Sequence, residues 1–185
     1  MKVTRLGFVA LVACMLVSLN NYVKAQDQKV PVEITAGRDT MPITDDSLMN
    51  DAYSYILMGE KSANAALNSS TINISTYARQ SVTDYFLLKR EFKTLAQQRN
   101  ILLIDTLNNT LSTSYNELTK LTGYDFDTQY VQSVGTNQTQ FYTAFNKLLN
   151  SNDPEIRSWA QKMTPVIDKY NTKSKKFTSK WNKTE

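Results

Sequence analysis

The sequence has no histidine and only one cysteine among its 185 residues. Without histidine, the chain has no Ser-His-Asp or Cys-His catalytic site, no histidine metal ligand and no histidine-based pH sensor. The single cysteine, Cys14, lies in the apolar N-terminal segment. If that segment is removed on export, the mature chain contains no thiol nucleophile and no disulfide bond.

Residues 1–25 have the pattern of a signal peptide. Basic residues precede an apolar run over residues 6–19, and Val23-Lys24-Ala25 is typical of a cleavage site. The run is shorter than the roughly 20 apolar residues that a membrane span needs. We therefore expect cleavage between Ala25 and Gln26 and export of the mature chain to the periplasm or the outer membrane.

A lipoprotein signal is the alternative. Leu11-Val12-Ala13-Cys14 resembles a lipobox, in which the cysteine is lipidated and becomes the mature N-terminus. The apolar run, however, continues through residues 15–19, where lipoproteins usually turn polar, and the apolar segment before Cys14 is short. The pattern therefore favours plain cleavage over lipidation.

The signal peptide also accounts for most of the net positive charge. The full chain carries +4, from 21 basic and 17 acidic residues. Removal of Lys2, Arg5 and Lys24 leaves 18 basic residues against the same 17 acids, a net charge of +1. A nearly neutral mature chain gives no electrostatic argument for nucleic-acid binding, and we expect no nucleic-acid partner.

The mature chain divides into a lead-in and a helical domain. Residues 26–45 contain Pro31, Gly37 and Pro42 and show no helical period, so we expect an extended, flexible lead-in. From residue 46 onward, apolar residues recur at the spacings of amphipathic helices. We therefore predict a helical domain over residues 46–185.

The first two helices have recognisable ends. Asp45, Asp46 or Ser47 is expected to cap the first, and Asn68-Ser69-Ser70 is expected to end it and to cap the second. The second helix should run to about Arg99. Its core-facing stripe consists of Ile74, Ala78, Ser81, Tyr85, Leu88, Phe92 and Leu95.

Three further helices complete the domain. A short helix is expected near residues 110–120, and a long one should follow Gly123. Asp153 and Pro154 are typical of the N-cap and the first turn of the last helix, which Pro165 should kink. The whole pattern predicts an all-α fold, an antiparallel four-helix bundle.

Several polar residues interrupt the apolar stripes of these helices. A buried polar group without a partner costs on the order of 1–3 kcal/mol, so these groups must find partners. They form either a ligand site or a hydrogen-bonded core network. With the neighbouring Asp84, the candidate polar cluster consists of Glu60, Asp84, Tyr85, Asp127, Gln138 and Tyr170.

The segments ARQSVTDY (78–85) and LTGYDFDTQYV (121–131) resemble a known family, and Trp159-Ala160 and residues 164–170 extend the similarity. The sequence is similar to a domain-of-unknown-function family of exported bacterial proteins, often titled outer-membrane or membrane proteins. The resemblance covers about residues 50–180 and implies a ferritin-like four-helix fold.

The chain departs from that family at three positions where relatives commonly carry histidine, which here are Tyr85, Gln138 and Tyr170. Ferritin-like metal centres use carboxylates together with Glu-x-x-His pairs on facing helices. Glu60 and Asp127 alone offer too few carboxylates for a di-iron site. We therefore expect no metal, no cofactor and no catalytic residue.

The C-terminal segment is rich in lysine and contains no acid before Glu185. Phe177 and Trp181 lie between these lysines and continue the apolar spacing of the last helix. Two interpretations remain open: contact with an anionic membrane surface, or a solvated helix end. The candidate surface contacts are Lys173, Lys175, Lys176 and Lys180.

Three short segments resemble the acceptor sites for O-glycans in the Bacteroidetes group of bacteria. They are Asp39-Thr40-Met41, Asp46-Ser47-Leu48 and Asp105-Thr106-Leu107. Together with the cleavage region, they are consistent with a bacterial envelope protein.

The leading functional hypothesis is a non-enzymatic protein of the cell envelope that acts through binding or structure with an unidentified envelope partner. One alternative is a metal-dependent or redox protein with a site of carboxylates and tyrosines. The other is a peripheral membrane protein that uses the C-terminal lysines. The sequence does not indicate an oligomeric state.

Overall fold

The computed structural model describes residues 44–181, and all of its regular elements in that range are helical. Helix α1 comprises Asp45–Ala65 and continues into a 3₁₀ turn, Ala66–Asn68. The remaining helices are α2 (Ile72–Gln98), α3 (Asn109–Lys120), α4 (Gly123–Leu148) and α5 (Pro154–Trp181). The predicted all-α class is confirmed. The expected signal peptide with its cleavage site at Ala25 and Gln26, and most of the lead-in, lie outside the described residues.

The four long helices form a bundle in which neighbouring helices are antiparallel. The Lys89–Glu60 ion pair joins α2 to α1, and Lys147 pairs with Asp51 to join α4 to α1. Helix α5 packs against both α2 and α4, because the Trp159 ring contacts Phe92 of one and Phe145 of the other. Helices α2 and α4 therefore run parallel to each other. Between them, residues 99–108 and the short helix α3 carry the chain from the end of α2 back to the start of α4.

The segment after α2 is held against α1 by the side-chain amide of Asn50. Its Nδ2 donates to the carbonyl oxygen of Leu102 at 3.0 Å, and its Oδ1 accepts the Ile104 N–H at 2.8 Å. Asp105 reinforces this attachment by accepting the Tyr53 hydroxyl at 2.6 Å and pairing with Lys93 at 2.8 Å. The crossover is thus tied to the bundle by polar contacts as well as by packing.

Two of the predicted helix caps are wrong. Helix α1 is capped by Thr44, whose Oγ1 accepts the Ser47 N–H at 3.2 Å, so Asp45 and Asp46 lie in its first turn. Asp45 therefore belongs to the helix and not to the lead-in. At the start of α2 the N-cap position is Thr71, not Asn68-Ser69-Ser70, and the Thr71 hydroxyl donates to Asp127.

The other predicted helix starts agree more closely with the structure. Asp153 caps α5 as predicted, since its Oδ1 accepts the Glu155 N–H at 2.8 Å. Helix α4 begins at Gly123 itself, which has φ +58°, a conformation that favours glycine. Pro165 lies within α5, which continues to Trp181. No helix within residues 44–181 is both long enough and apolar enough to cross a membrane.

The buried apolar side chains fall into two clusters along the bundle axis. One contains Phe92, Phe141 and Phe145 near the start of α1, and the other contains Ile74, Phe126 and Tyr130 near its end. Between these clusters each long helix contributes polar or small residues to the interior of the bundle. This interruption defines the candidate site.

Candidate functional site

A polar layer crosses the bundle between the two apolar clusters, and each long helix contributes to it. Helix α1, for example, contributes Gly59 and Ser62. Most of the contributing side chains are buried or partly buried. The polar layer consists of Gly59, Ser62, Tyr77, Ser81, Asp84, Tyr85, Tyr130, Asn137, Gln138, Tyr170 and Lys173, which line two adjoining cavities.

Tyr85 reaches into the layer because residue 59 is glycine. A Cβ atom at Gly59 would lie 2.1 Å from Tyr85 Cζ, far inside van der Waals contact. The Tyr85 hydroxyl accepts from Asn137 Nδ2 at 3.5 Å, and the same Nδ2 donates to the Tyr55 carbonyl oxygen at 3.0 Å. Burial raises the pKa of Tyr85 to about 12, although the bond from Asn137 opposes the shift. The phenol is therefore neutral at physiological pH.

Three polar atoms of the layer are buried without a hydrogen-bond partner among the described residues: the Tyr130 hydroxyl, Asn137 Oδ1 and Gln138 Nε2. They line cavities of about 10 and 20 Å³. A cavity of roughly 10–15 Å³ holds one water molecule when polar groups surround it. Water is therefore the natural partner of these atoms, and a larger ligand does not fit.

The phenols of the layer are weak acids in this environment. Burial raises the pKa of Tyr130 well above its ordinary value, and the neighbouring hydroxyls of Tyr77 and Tyr85 add to the shift while Ser81 opposes it. Burial also raises the pKa of Tyr77 and of Tyr170. Each of these phenols is therefore held in its protonated form at neutral pH.

An ion pair closes the layer on its outer side. Lys173 Nζ donates to Asp84 Oδ2, both side chains are partly buried, and the same ammonium lies 5.7 Å from the centre of the Tyr77 ring. Tyr77 in turn stacks on Phe177, with ring centres 3.8 Å apart. The Asp84 carboxylate is therefore paired with a neighbouring cation at the edge of the layer.

The six residues predicted as one polar cluster do not come together completely. Asp84, Tyr85, Gln138 and Tyr170 line the same cavity of about 20 Å³. Glu60 instead forms an ion pair with Lys89 on a partly exposed face of α1 and α2.

Asp127 is buried at the end of the bundle, where its carboxylate accepts hydrogen bonds from the connection between α1 and α2. Its two carboxylate oxygens accept the hydroxyls of Ser69 at 2.7 Å and Thr71 at 2.6 Å. A carboxylate at the N-terminus of α2 also interacts favourably with the helix dipole. Asp127 thus ties the α1–α2 connection to α4 and borders an open recess of about 350 Å³.

Metal ligands do not converge in the described part of the chain. Across residues 44–181 there is no group of three or more Asp, Glu, Cys or His side chains placed to hold a metal ion. The groups that do converge are phenols, amides and one paired carboxylate, which suit hydrogen bonding better than metal coordination.

The other sequence-predicted residues lie at the surface. Lys175, Lys176 and Lys180 are exposed, whereas Lys173 belongs to the polar layer. Of the glycan-like segments, Thr106 is exposed in the crossover, and Ser47 lies in the first turn of α1. Thr40 lies outside the described residues.

The polar-cluster prediction missed seven layer residues: Gly59, Ser62, Tyr77, Ser81, Tyr130, Asn137 and Lys173. Two of them carried a readable signal. Gly59 is a glycine in the interior of a predicted helix, where it costs about 1 kcal/mol relative to alanine and so suggests close packing. Ser81 is a small polar residue on the clearest apolar stripe.

Comparison with known proteins gives a family but no characterised relative. No curated protein and no solved structure matches the chain. A family profile, described as a domain of unknown function, matches residues 30–176, most of the chain. The chain therefore belongs to the family DUF4142.

Proposed function

We propose that this protein is an exported, non-enzymatic component of the cell envelope that acts through its outer surface, by binding or as a structural element. One observation carries the proposal: the polar interior of the bundle has room for single water molecules only, in cavities of about 10 and 20 Å³. A substrate does not fit there. The polar groups that line the cavities are protonated phenols, amides, serine hydroxyls and the Asp84–Lys173 pair.

Export is supported by the signal-peptide pattern of residues 1–25. A ferritin-like relationship is supported by the connectivity, because one long crossover between two antiparallel helix pairs is typical of ferritin-like bundles. Tyr85, Gln138 and Tyr170, which replace the histidines common in relatives, line the same cavity. We infer that this chain keeps the architecture of such bundles with a hydrogen-bonded interior where a metal centre would otherwise lie.

Elemental analysis of the purified mature protein tests the non-metallic part of the proposal. We expect substoichiometric iron, manganese and zinc, and no rise in thermal stability when these ions are added. The alternative metal or redox function predicts stoichiometric metal that is lost in Asp84→Asn, since this residue is the only carboxylate lining the cavity of Tyr85 and Gln138 within residues 44–181. Metal retained by wild type and lost by this variant would refute the proposal.

Cell fractionation with mass spectrometry of the mature N-terminus tests the localisation. We expect a chain that begins at Gln26 in the envelope fractions. A lipidated N-terminus at Cys14 would still mean export but would replace the cleavage site, and an unprocessed chain in the cytoplasm would contradict the proposal.

A further inference from the structure

Two strongly exposed apolar side chains lie at the end of the bundle opposite to the Leu102 and Ile104 crossover. Helices α1 and α5 end there and α2 and α4 begin there. Ile72, the first residue of α2, is 79% exposed, and Tyr124, in the first turn of α4, is 62% exposed. The Tyr124 ring stacks on Trp181, with centres 6.1 Å apart. We call this surface, formed by Ile72, Tyr124 and Trp181, the apolar tip.

The start of α2 is fixed beside the start of α4. Thr71, the residue before Ile72, donates its hydroxyl to Asp127 at 2.6 Å, and Asp127 lies one turn after Tyr124. The two exposed side chains therefore border the same end of the bundle. Single exposed apolar residues are common on protein surfaces, but a group at one end that includes Tyr and Trp is characteristic of an interaction site.

Exposed lysines lie near the apolar tip, at the end of α5. Lys175, Lys176 and Lys180 lie in the last two turns of α5, and residues 169–181 contain no acid. Lys173 is partly buried in the polar layer, where it contacts Asp84, and is therefore not part of this exposed group. The exposed acids near this end include Asp125, in the first turn of α4, and Glu117, in the last turn of α3, where Lys120 is also exposed. The local charge is therefore positive.

We propose that the apolar tip docks on an anionic lipid membrane, with Ile72 and Tyr124 entering the interface and the lysines of α5 facing the lipid phosphates. This proposal rests on the surface-acting function proposed above and assigns its partner. A soluble polyanion would be attracted by the lysines but would leave the apolar side chains in water. A membrane surface matches both features, since Tyr and Trp favour the headgroup region and lysines favour anionic lipid.

Binding of the mature chain to phosphatidylglycerol-containing vesicles, measured by co-sedimentation, tests the proposal. We expect binding that falls with added salt and is weak on pure phosphatidylcholine vesicles. Ile72→Ser and Tyr124→Ser should each weaken binding several-fold with unchanged helical content. Lys175→Gln with Lys176→Gln should weaken it by about fivefold for each lysine removed.

Two matched variants serve as controls. Leu102→Ser removes an equally exposed apolar side chain (83%) that lies near the start of α1, away from the apolar tip. Lys162→Gln removes an exposed lysine from the earlier part of α5. Both should bind vesicles like wild type.

Three results would overturn the proposal. The first is no binding to anionic vesicles, and the second is equal weakening by Leu102→Ser and Tyr124→Ser. The third is equally tight binding to soluble dextran sulfate that does not depend on Ile72 and Tyr124, which would identify a polyanion site instead. These outcomes test membrane binding alone. The elemental analysis tests the non-enzymatic function, so the two proposals can fail independently.

Discussion

Gly59→Ala tests the central packing contact of the polar layer. The added methyl group would lie 2.1 Å from Tyr85 Cζ and 2.5 Å from each Cε atom. These distances are much shorter than an ordinary carbon–carbon contact of about 3.5–4.0 Å. The Tyr85 ring must therefore move by more than 1 Å, by roughly the difference between these distances. Such a movement breaks its hydrogen bond with Asn137.

The expected magnitude follows from two opposing effects. Overpacking a core typically costs about 1–3 kcal/mol, and the lost hydrogen bond adds to that cost. Alanine is a better helix former than glycine by about 1 kcal/mol, which offsets part of the loss. We therefore expect Gly59→Ala to lower the free energy of unfolding by about 1–3 kcal/mol.

Urea unfolding followed by circular dichroism at 222 nm measures this effect in two backgrounds. In Tyr85→Leu the shorter side chain leaves room for the methyl group, so Gly59→Ala should stabilise that background by up to about 1 kcal/mol. Gly135→Ala is the matched control, because its Cβ would meet Thr178 Cγ2 at 3.6 Å, an ordinary contact. It should stabilise the wild type. Equal effects of Gly59→Ala in both backgrounds would refute the reasoning.

Three further predictions concern charge and protonation. Asp127→Ala should lower the free energy of unfolding by about 3 kcal/mol, since two hydrogen bonds to a buried carboxylate are lost, and Asp127→Asn should lose less; a urea-measured loss below about 1 kcal/mol for the alanine variant would contradict this role. Bonds from Lys93 and Tyr53 lower the pKa of Asp105, so its contribution is present above its ordinary pKa and is lost as pH falls through the folded value. The stability difference between wild type and Asp105→Asn should therefore shrink in melts below about pH 4, and a constant difference would count against the pairing. Burial raises the pKa of Tyr85 to about 12, so wild type should lose stability above pH 10, where the unfolded phenol ionises first. Tyr85→Phe should lose less between pH 10 and 12, and identical alkaline profiles would exclude a buried Tyr85 hydroxyl.

Most of the fold could be predicted from the sequence because the helices are long and their apolar spacing is regular. Residues 74–95 show this best, since the predicted stripe includes Phe92 and Leu88, both of which are buried. The helix starts were harder to predict because several neighbouring residues can cap equally well. Thr44 caps α1 although Asp45, Asp46 and Ser47 are also good capping residues.

The arrangement of the polar residues could be predicted only in part. Tyr85, Gln138 and Tyr170 interrupt the apolar stripes of three different helices. The packing of α2, α4 and α5 brings them to the same level of the bundle, where they line one cavity. Asp127 also interrupts a stripe, but it lies near the start of α4 and hence at the end of the bundle. The register between helices decides which polar residues meet, and spacing within one helix carries no information about that register.

The same limit applies to ion pairs between helices. Asp84 and Lys173 are far apart in sequence, and neither lies on an apolar stripe, so their pairing was not expected. It depends on the antiparallel register of α2 and α5. The same register leaves Lys175 and Lys176 exposed at the surface.

The amide of Asn50 has a consequence for the behaviour of this protein at high concentration. Residues 101–104 are Ile-Leu-Leu-Ile, an uncharged apolar run outside the helices, with Leu102 and Ile104 exposed. Such a segment with a free backbone edge is a template for intermolecular strand pairing and aggregation. Because Asn50 occupies both the Leu102 carbonyl and the Ile104 N–H, that edge cannot accept a strand from another molecule. One side chain thus removes two backbone groups of the crossover from pairing with another molecule.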